Sequence, residues 1–161
     1  MFACIDPGLH HCGVALFSDQ GELLDARLID ERGDPQHPYR GMIFAVADHV
    51  STNARLQSVE LVIERPQIYR NSPADPNDLI SLAVVIGGLL AVIPRGRPAM
   101  TYLPRDWKGQ VPKEVTEQRC RIRLSSAELQ KFKEKRMSLA HNVWDAVGLG
   151  MHHLRVRGIR S

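Results

Sequence analysis

The sequence predicts one α/β domain spanning residues 1–161. Its core is a mixed five-stranded sheet, three antiparallel strands followed by two parallel ones, with helices on both faces. Three observations carry this. Three short apolar runs separated by tight turns open the chain. Two further strand-like runs each follow a stretch with helical spacing. The length is that of one ordinary globular domain, 161 residues with 43% apolar and 24% charged, enough to bury roughly 70% of the unfolded surface.

The elements follow in order. Phe2 to Ile5 is apolar and breaks at Asp6-Pro7-Gly8, a strand and then a turn. Cys12 to Phe17 is the second strand, followed by a turn at Asp19-Gln20-Gly21. Leu23 to Ile29 is the third, with Asp25 and Arg27 reading outward, and the three form an antiparallel meander. After a polar loop (30–38), Met42, Ile43, Val46, Ala47 and Val50 give helical spacing over Tyr39 to Ala54. Val59 to Ile63 is β-branched, predicts a strand buried on both faces, and ends at Glu64. A long polar loop (65–76) leads to a helix capped by Asn77 or Asp78 and running to about Ile93. That helix is apolar nearly all round, which predicts either a central place in the core or a partner pressed against it.

Ala99 to Leu103 predicts the fifth strand, and residues 104–114 a basic loop or short helix. Glu114 to Arg123 reads as helical. Ser125 and Glu128 have capping-box spacing and predict a charged helix to about Arg136. Ser138 is placed to cap a last helix, whose buried stripe is Trp144, Val147, Met151 and Leu154.

Composition excludes several classes. Three cysteines (Cys4, Cys12, Cys120) make no disulfide framework, and the first two fall on strand-like runs where buried free thiols are expected, as in a reducing compartment. No zinc-ligand spacing is present. The first residues lack a basic segment and reach Asp6 at once, unlike a signal peptide. The longest apolar run, Leu79 to Ile93, is shorter than the ~20 residues of a membrane span. Charge is divided along the chain. Residues 1–80 hold 6 Arg against 12 Asp and Glu, and residues 81–161 hold 15 Lys and Arg against 6 acids. All five lysines lie between Lys108 and Lys135. A basic second half points to a polyanion, nucleic acid first.

Against this background three carboxylates stand out. Asp6 and Glu64 each end an apolar strand, and Asp145 interrupts the last, largely apolar helix. A carboxylate in such a setting is costly unless paired or bound to a cation. Neighbouring strand ends lie ~5 Å apart, close enough to share divalent ions ~4 Å apart. Hard oxygen ligands suit magnesium or manganese.

Three segments also resemble a known family. "CIDPGLHHCGVALF" is similar to the first strand and hairpin of RuvC-type Holliday junction resolvases, members of the RNase H-like superfamily that include phage-type enzymes. "LVIERPQIY" resembles their strand ending in glutamate with its aromatic-tipped loop, and "HNVWDAVGLGMHH" their last helix. The resemblance implies a cytoplasmic, homodimeric endonuclease, bacterial or from a phage-infected cell. Such an enzyme resolves four-way DNA junctions by paired nicks, using two Mg2+ ions per site, with Mn2+ able to substitute. It carries catalytic and metal-holding roles onto Asp6, Glu64 and Asp145, and onto His141 as a fourth residue. The family's usual fourth position corresponds to Asn142, three before Asp145, where this sequence departs from the pattern; His141 is four before. Both lie within ~60° of Asp145 around a helix, and imidazole is the stronger ligand.

DNA contacts are expected from the basic segment, at Lys108, Lys113, Arg119, Arg121 and Arg123. In the loop after Glu64 the resemblance implies a junction wedge at Ile68 or Tyr69, with Arg70 beside it. Lys131, Lys133 and Lys135 read as a solvated surface. Two other functions share this scaffold. One is a transposase-like or RNA-processing nuclease. The other is an actin-like nucleotide-binding module, whose first phosphate loop "DPGLHHCGVAL" also resembles, although a second glycine-rich loop is missing.

Overall fold

The computed structural model describes residues 1–32, 36–54, 58–67, 75–93, 98–109, 111–132 and 139–159, without the side chain of Lys113. Strands β1 (Phe2–Asp6), β2 (His11–Phe17) and β3 (Leu23–Asp30) form the antiparallel meander. Helix α1 (Arg40–Ala54) leads to β4 (Glu60–Glu64), and α2 (Pro76–Val92) to β5 (Met100–Tyr102). The remaining helices are α3 (Pro104–Trp107), α4 (Lys113–Arg123), α5 (Ser126–Leu129) and α6 (Ala140–Val156). The sheet order is β3-β2-β1-β4-β5, with β4 parallel to β1 and β5 parallel to β4, as the sequence predicts.

The pleat sorts side chains onto two faces. Phe2 and Cys4 of β1, Val62 of β4, and Ala15 and Phe17 of β2 pack beneath α6 and α4 with Val143, Trp144, Val147 and Leu154. Ala3, Ile5, Leu61, Ile63, Val14 and Leu16 point the other way, beneath α1 and α2. By this alternation Asp6 and Glu64 fall on the α6 face, because each continues the even-numbered series of its strand. All three cysteines are buried free thiols. Burial, with the carboxylates of Asp145 and Glu117, pushes the Cys120 thiol up to about 12 against the opposing Arg123.

The structure corrects four expectations. Asp25, which reads as facing outward on the third strand, is buried against α1, its Oδ2 3.1 Å from His49 Nε2. The cap of α2 is Asp75, not Asn77 or Asp78; its Oδ1 accepts the Asn77 N–H at 2.8 Å. Pro76 holds the first helical position, where its missing N–H costs nothing, so the cap must precede it. The charged helix from Ser125 to Arg136 is instead a single turn, α5, although its capping box forms as read. The chain leaves the helix because the open edge of β3 offers pairing. The Ala26 N–H donates to the Lys131 carbonyl at 3.3 Å, and the Phe132 ring lies 4.0 Å from that of Trp144. The α6 boundary falls at Leu139, while Ser138 lies outside the described residues. On α2, only Val85 and Leu89 are buried; Ile80, Val84 and Val92 stay exposed. Of the two expectations for that helix, a central place in the core is the one the structure excludes. Among the described residues no helix is long and apolar enough to cross a membrane.

Candidate active site

Adjacent strands and one crossing helix gather the three acids. Asp6 pairs with Gly13 on β2, and Glu64 follows Ile63, which pairs with Ile5. Asp6 and Glu64 are therefore neighbours at the C-terminal ends of two parallel strands. Asp145 reaches them from α6, which crosses β2 and β1. That crossing needs a glycine. A Cβ on Gly13 would lie 2.0 Å from the Asn142 carbonyl oxygen, so only a bare backbone lets the start of α6 come down on the strand.

Between the acids stands Lys108, just past α3. Its Nζ donates to Asp145 Oδ2 at 2.7 Å and lies 3.1 and 3.4 Å from the two Glu64 oxygens. The Asp6 carboxylate also acts on it. Burial alone would lower the lysine, yet Glu64, Asp145 and Asp6 together raise it above its ordinary range, so the ammonium stays charged. Burial pushes the Glu64 carboxyl up; Lys108 and the Trp107 hydrogen bond oppose this without cancelling it, and Asp145 adds to it. Trp107 Nε1 donates to Glu64 Oε2 at 2.8 Å. The indole is seated by a second close approach, since a Cβ on Gly148 would lie 2.7 Å from its ring.

The other candidate residues separate into groups. His141 lies partly buried in the first turn of α6, one turn before Asp145. Asn142 is turned toward β2, its Nδ2 3.4 Å from the His11 carbonyl oxygen. Arg119 and Arg123 share one face of α4, whereas Arg121 bonds Glu117 at 2.8 Å and lies over the Trp144 ring. Lys113 opens α4. Ile68, Tyr69 and Arg70 lie outside the described residues, as do Lys133 and Lys135. Sequence reading missed Trp107 as the partner of Glu64 and missed that Lys108 sits among the acids. The aromatic-lysine pair within "PRDWKG" was the available signal.

The acids present hard oxygen donors, the chemistry that suits magnesium or manganese. Among the described residues no three His, Cys, Asp or Glu are drawn together tightly enough to hold an ion. The spacing is instead that of carboxylates facing an ammonium. The donor set fits a divalent cation, and Lys108 provides the positive charge these side chains require.

A mixed sheet of this order, with its acids at the ends of β1 and β4 and a third on the last helix, defines a RuvC-type, RNase H-like fold. The comparison with solved structures makes this concrete. Thermus thermophilus RuvC in complex with Holliday junction substrate matches over 98% of this chain and 96% of its own, with a TM-score of 0.65 at 23% identity. A second Thermus thermophilus RuvC structure matches over the same shares at the same identity, with a TM-score of 0.58. No protein-family model matches the chain, and no curated protein does.

Proposed function

We propose that this protein is a metal-dependent endonuclease that resolves four-way DNA junctions by paired nicks, with Asp6, Glu64 and Asp145 as its catalytic acids. The observation that carries this reading is the half-buried Lys108 bonded to Glu64 and Asp145 and within the field of Asp6, on a fold shared with a RuvC seen bound to a Holliday junction. Asp6, Glu64 and Asp145 would hold the divalent cations, two Mg2+ or Mn2+ per site, with His141 as the fourth residue. Asn142 is the weaker candidate because its side chain is committed to β2. When bound, such ions supply an acidified water and charge neutralisation at the phosphodiester.

The chain's own residues prepare that chemistry. Trp107 fixes one oxygen of Glu64 and so orients the carboxylate. Lys108 offsets the repulsion between the acids and an approaching DNA phosphate. Its flexible stem lets Nζ move from a carboxylate to a phosphate oxygen. Further grip on DNA comes from the basic segment, Lys113, Arg119, Arg121 and Arg123, and from the loop bearing Ile68, Tyr69 and Arg70.

A homodimer accompanies this reading. Ile80 (64% exposed), Val84 and Val92 of α2, with Phe44 (53%) of α1, leave apolar side chains in solvent where a second copy would cover them. A two-fold pair matches the two symmetric scissile phosphates of a junction. The test is incubation with Mg2+ and a synthetic four-way junction, a linear duplex of the same sequence, and an RNA–DNA hybrid. Symmetric nicks confined to the junction are expected. Equal cutting of duplex, or cutting of the hybrid alone, would instead indicate a transposase-like or RNA-processing nuclease.

A further inference from the structure

Beside the acids lies a cavity of about 410 Å3, bounded by α3, α4 and α6, whose α6 side, with His152 and Arg155, the reading above does not use. Trp107, Lys108, Arg119, Arg123, His152 and Arg155 line it, and among the described residues no acidic side chain lines it, although Lys108 is paired with Glu64 and Asp145 and Asp106 acts on His152. Its size is in the range of small-molecule sites. The cations come from two packed helices. Arg119 and Arg123 are one turn apart on α4, and His152 and Arg155 are three residues apart on α6, so each pair presents one helical face.

Arg155 is positioned, because its Nη2 donates to His152 Nδ1 at 3.2 Å. The ring of His152 is itself held edge-on by Tyr102, 4.8 Å between centroids. Burial, and then the Arg155 charge, lowers the His152 pKa below its ordinary value, which keeps Nδ1 able to accept. Trp107 connects the cavity to the acids. Its indole N–H bonds Glu64, while the ring forms part of the cavity wall.

An aromatic wall beside three solvent-exposed arginines that line one cavity selects a ligand with a flat or apolar body and a multiply charged oxyanion. A lone carboxylate offers too little charge for three arginines, and a phosphorylated nucleoside offers both parts. We propose that this cavity binds one nucleotide unit of the DNA strand next to the phosphodiester at the acids, its phosphate held by Arg119, Arg123 and Arg155 and its body against Trp107. The identity of the strand rests on the nuclease reading; the preference for a phosphorylated nucleoside rests on the cavity alone. Arg155 and His152 thereby join the DNA interface, which the basic segment before α6 does not include.

The probe is thymidine 3′,5′-bisphosphate added to the full chain in EDTA, so that no metal bridges it to the carboxylates. Binding is read from Trp107 fluorescence in a Trp144→Phe background, which leaves one of the two tryptophans, and from 31P line broadening with the unaltered protein. Saturable binding by both readouts is expected, weakened about tenfold by Arg123→Glu and by Arg155→Glu. Arg155→Gln should give a smaller loss, and Arg40→Glu, on the opposite face, should stay within about twofold. An absence of saturable binding, or an equal loss in Arg40→Glu, would overturn the cavity assignment. Protein that binds the bisphosphate through these arginines yet cuts no branched DNA supports the cavity and removes the nuclease reading. Protein that cuts junctions while Arg123→Glu and Arg155→Glu bind the bisphosphate normally removes the cavity alone.

Discussion

The two faces of the sheet are covered by helices of opposite character. On the α6 face, polar groups are buried in pairs: Glu64 and Asp145 around Lys108, and Glu60 3.2 Å from His153, whose Nδ1 is 3.0 Å from the Tyr102 hydroxyl. On the other face α1 and α2 pack mainly with aliphatic side chains, apart from Asp25 of β3, which pairs with His49 of α1 at 3.1 Å and with Arg27 at 2.8 Å, and the outer side of α2 carries Ile80, Val84 and Val92 into solvent. Burying charge costs free energy that an aliphatic core does not incur. Three charged side chains held together, Glu64, Asp145 and Lys108, mark one face, and a row of exposed apolar side chains marks the other. Under the proposed function, cutting belongs to the side with the acids around Lys108 and assembly to the side with the exposed apolar row.

If that division is right, changes on the two faces have separable effects. The largest belongs to the acids. Asp6→Asn and Glu64→Gln should each lower Mg2+-supported nicking of a junction by at least about 100-fold and leave junction affinity equal or tighter in a gel-shift titration, because affinity comes mainly from phosphate contacts elsewhere. Near-native nicking by either variant would remove that residue from the site. Next comes the apolar face. Ile80→Arg with Val84→Arg should weaken self-association at least about 100-fold, since both charges would be buried at its centre. Sedimentation would read this as a shift to monomer at micromolar concentration, with the folded circular dichroism spectrum retained. An unchanged dimer would place the contact elsewhere.

A smaller effect separates neighbours on α6. His141→Ala should reduce nicking about tenfold, while Asn142→Ala should cost only the hydrogen bond to the His11 carbonyl, about 1 kcal/mol of stability in urea unfolding. Reversed sensitivities would make Asn142 the fourth residue of the site. The smallest concerns pH. Burial lowers the His153 pKa from its ordinary 6.5 and Arg157 adds to this, against Glu60. Below about pH 6.5 the unfolded chain takes up a proton that the folded protein refuses, so stability is complete above that pH and falls as pH drops toward the lowered folded value. Urea midpoints at pH 7.5 and 5.5 should show this loss, and His153→Gln should flatten it. An identical slope in the variant would assign the acid sensitivity to other groups.

The contrast between the faces was partly legible in the sequence. Asp6 and Glu64 each end an apolar strand and Asp145 interrupts a largely apolar helix, so all three stand out in the sequence, while the face they share follows from the register of β1 and β4. The all-round apolarity of α2 left a core place and a covering partner both open, and only the exposure of Ile80, Val84 and Val92 excludes the first. What stayed hidden depends on contacts distant in the chain. Lys108 reads as a DNA-contacting lysine of the basic segment, and only the docking of Trp107 on Gly148 shows it between Glu64 and Asp145. The stretch after Ser125 has helical caps and charge, yet the open edge of β3 takes Lys131 and Phe132 out of the helix. Local propensity set the start of that element and tertiary pairing set its end.

The central claim is that the acids beneath α6 perform the cutting. It is tested most directly by Asp145→Asn, assayed beside the unaltered chain on a synthetic four-way junction at saturating Mg2+, with junction binding measured on the same samples. Symmetric nicks from the unaltered chain, and binding without nicks from Asp145→Asn, are the predicted result. Equal nicking by the two proteins, or no nicking of any junction by an unaltered chain that binds it, would contradict the account.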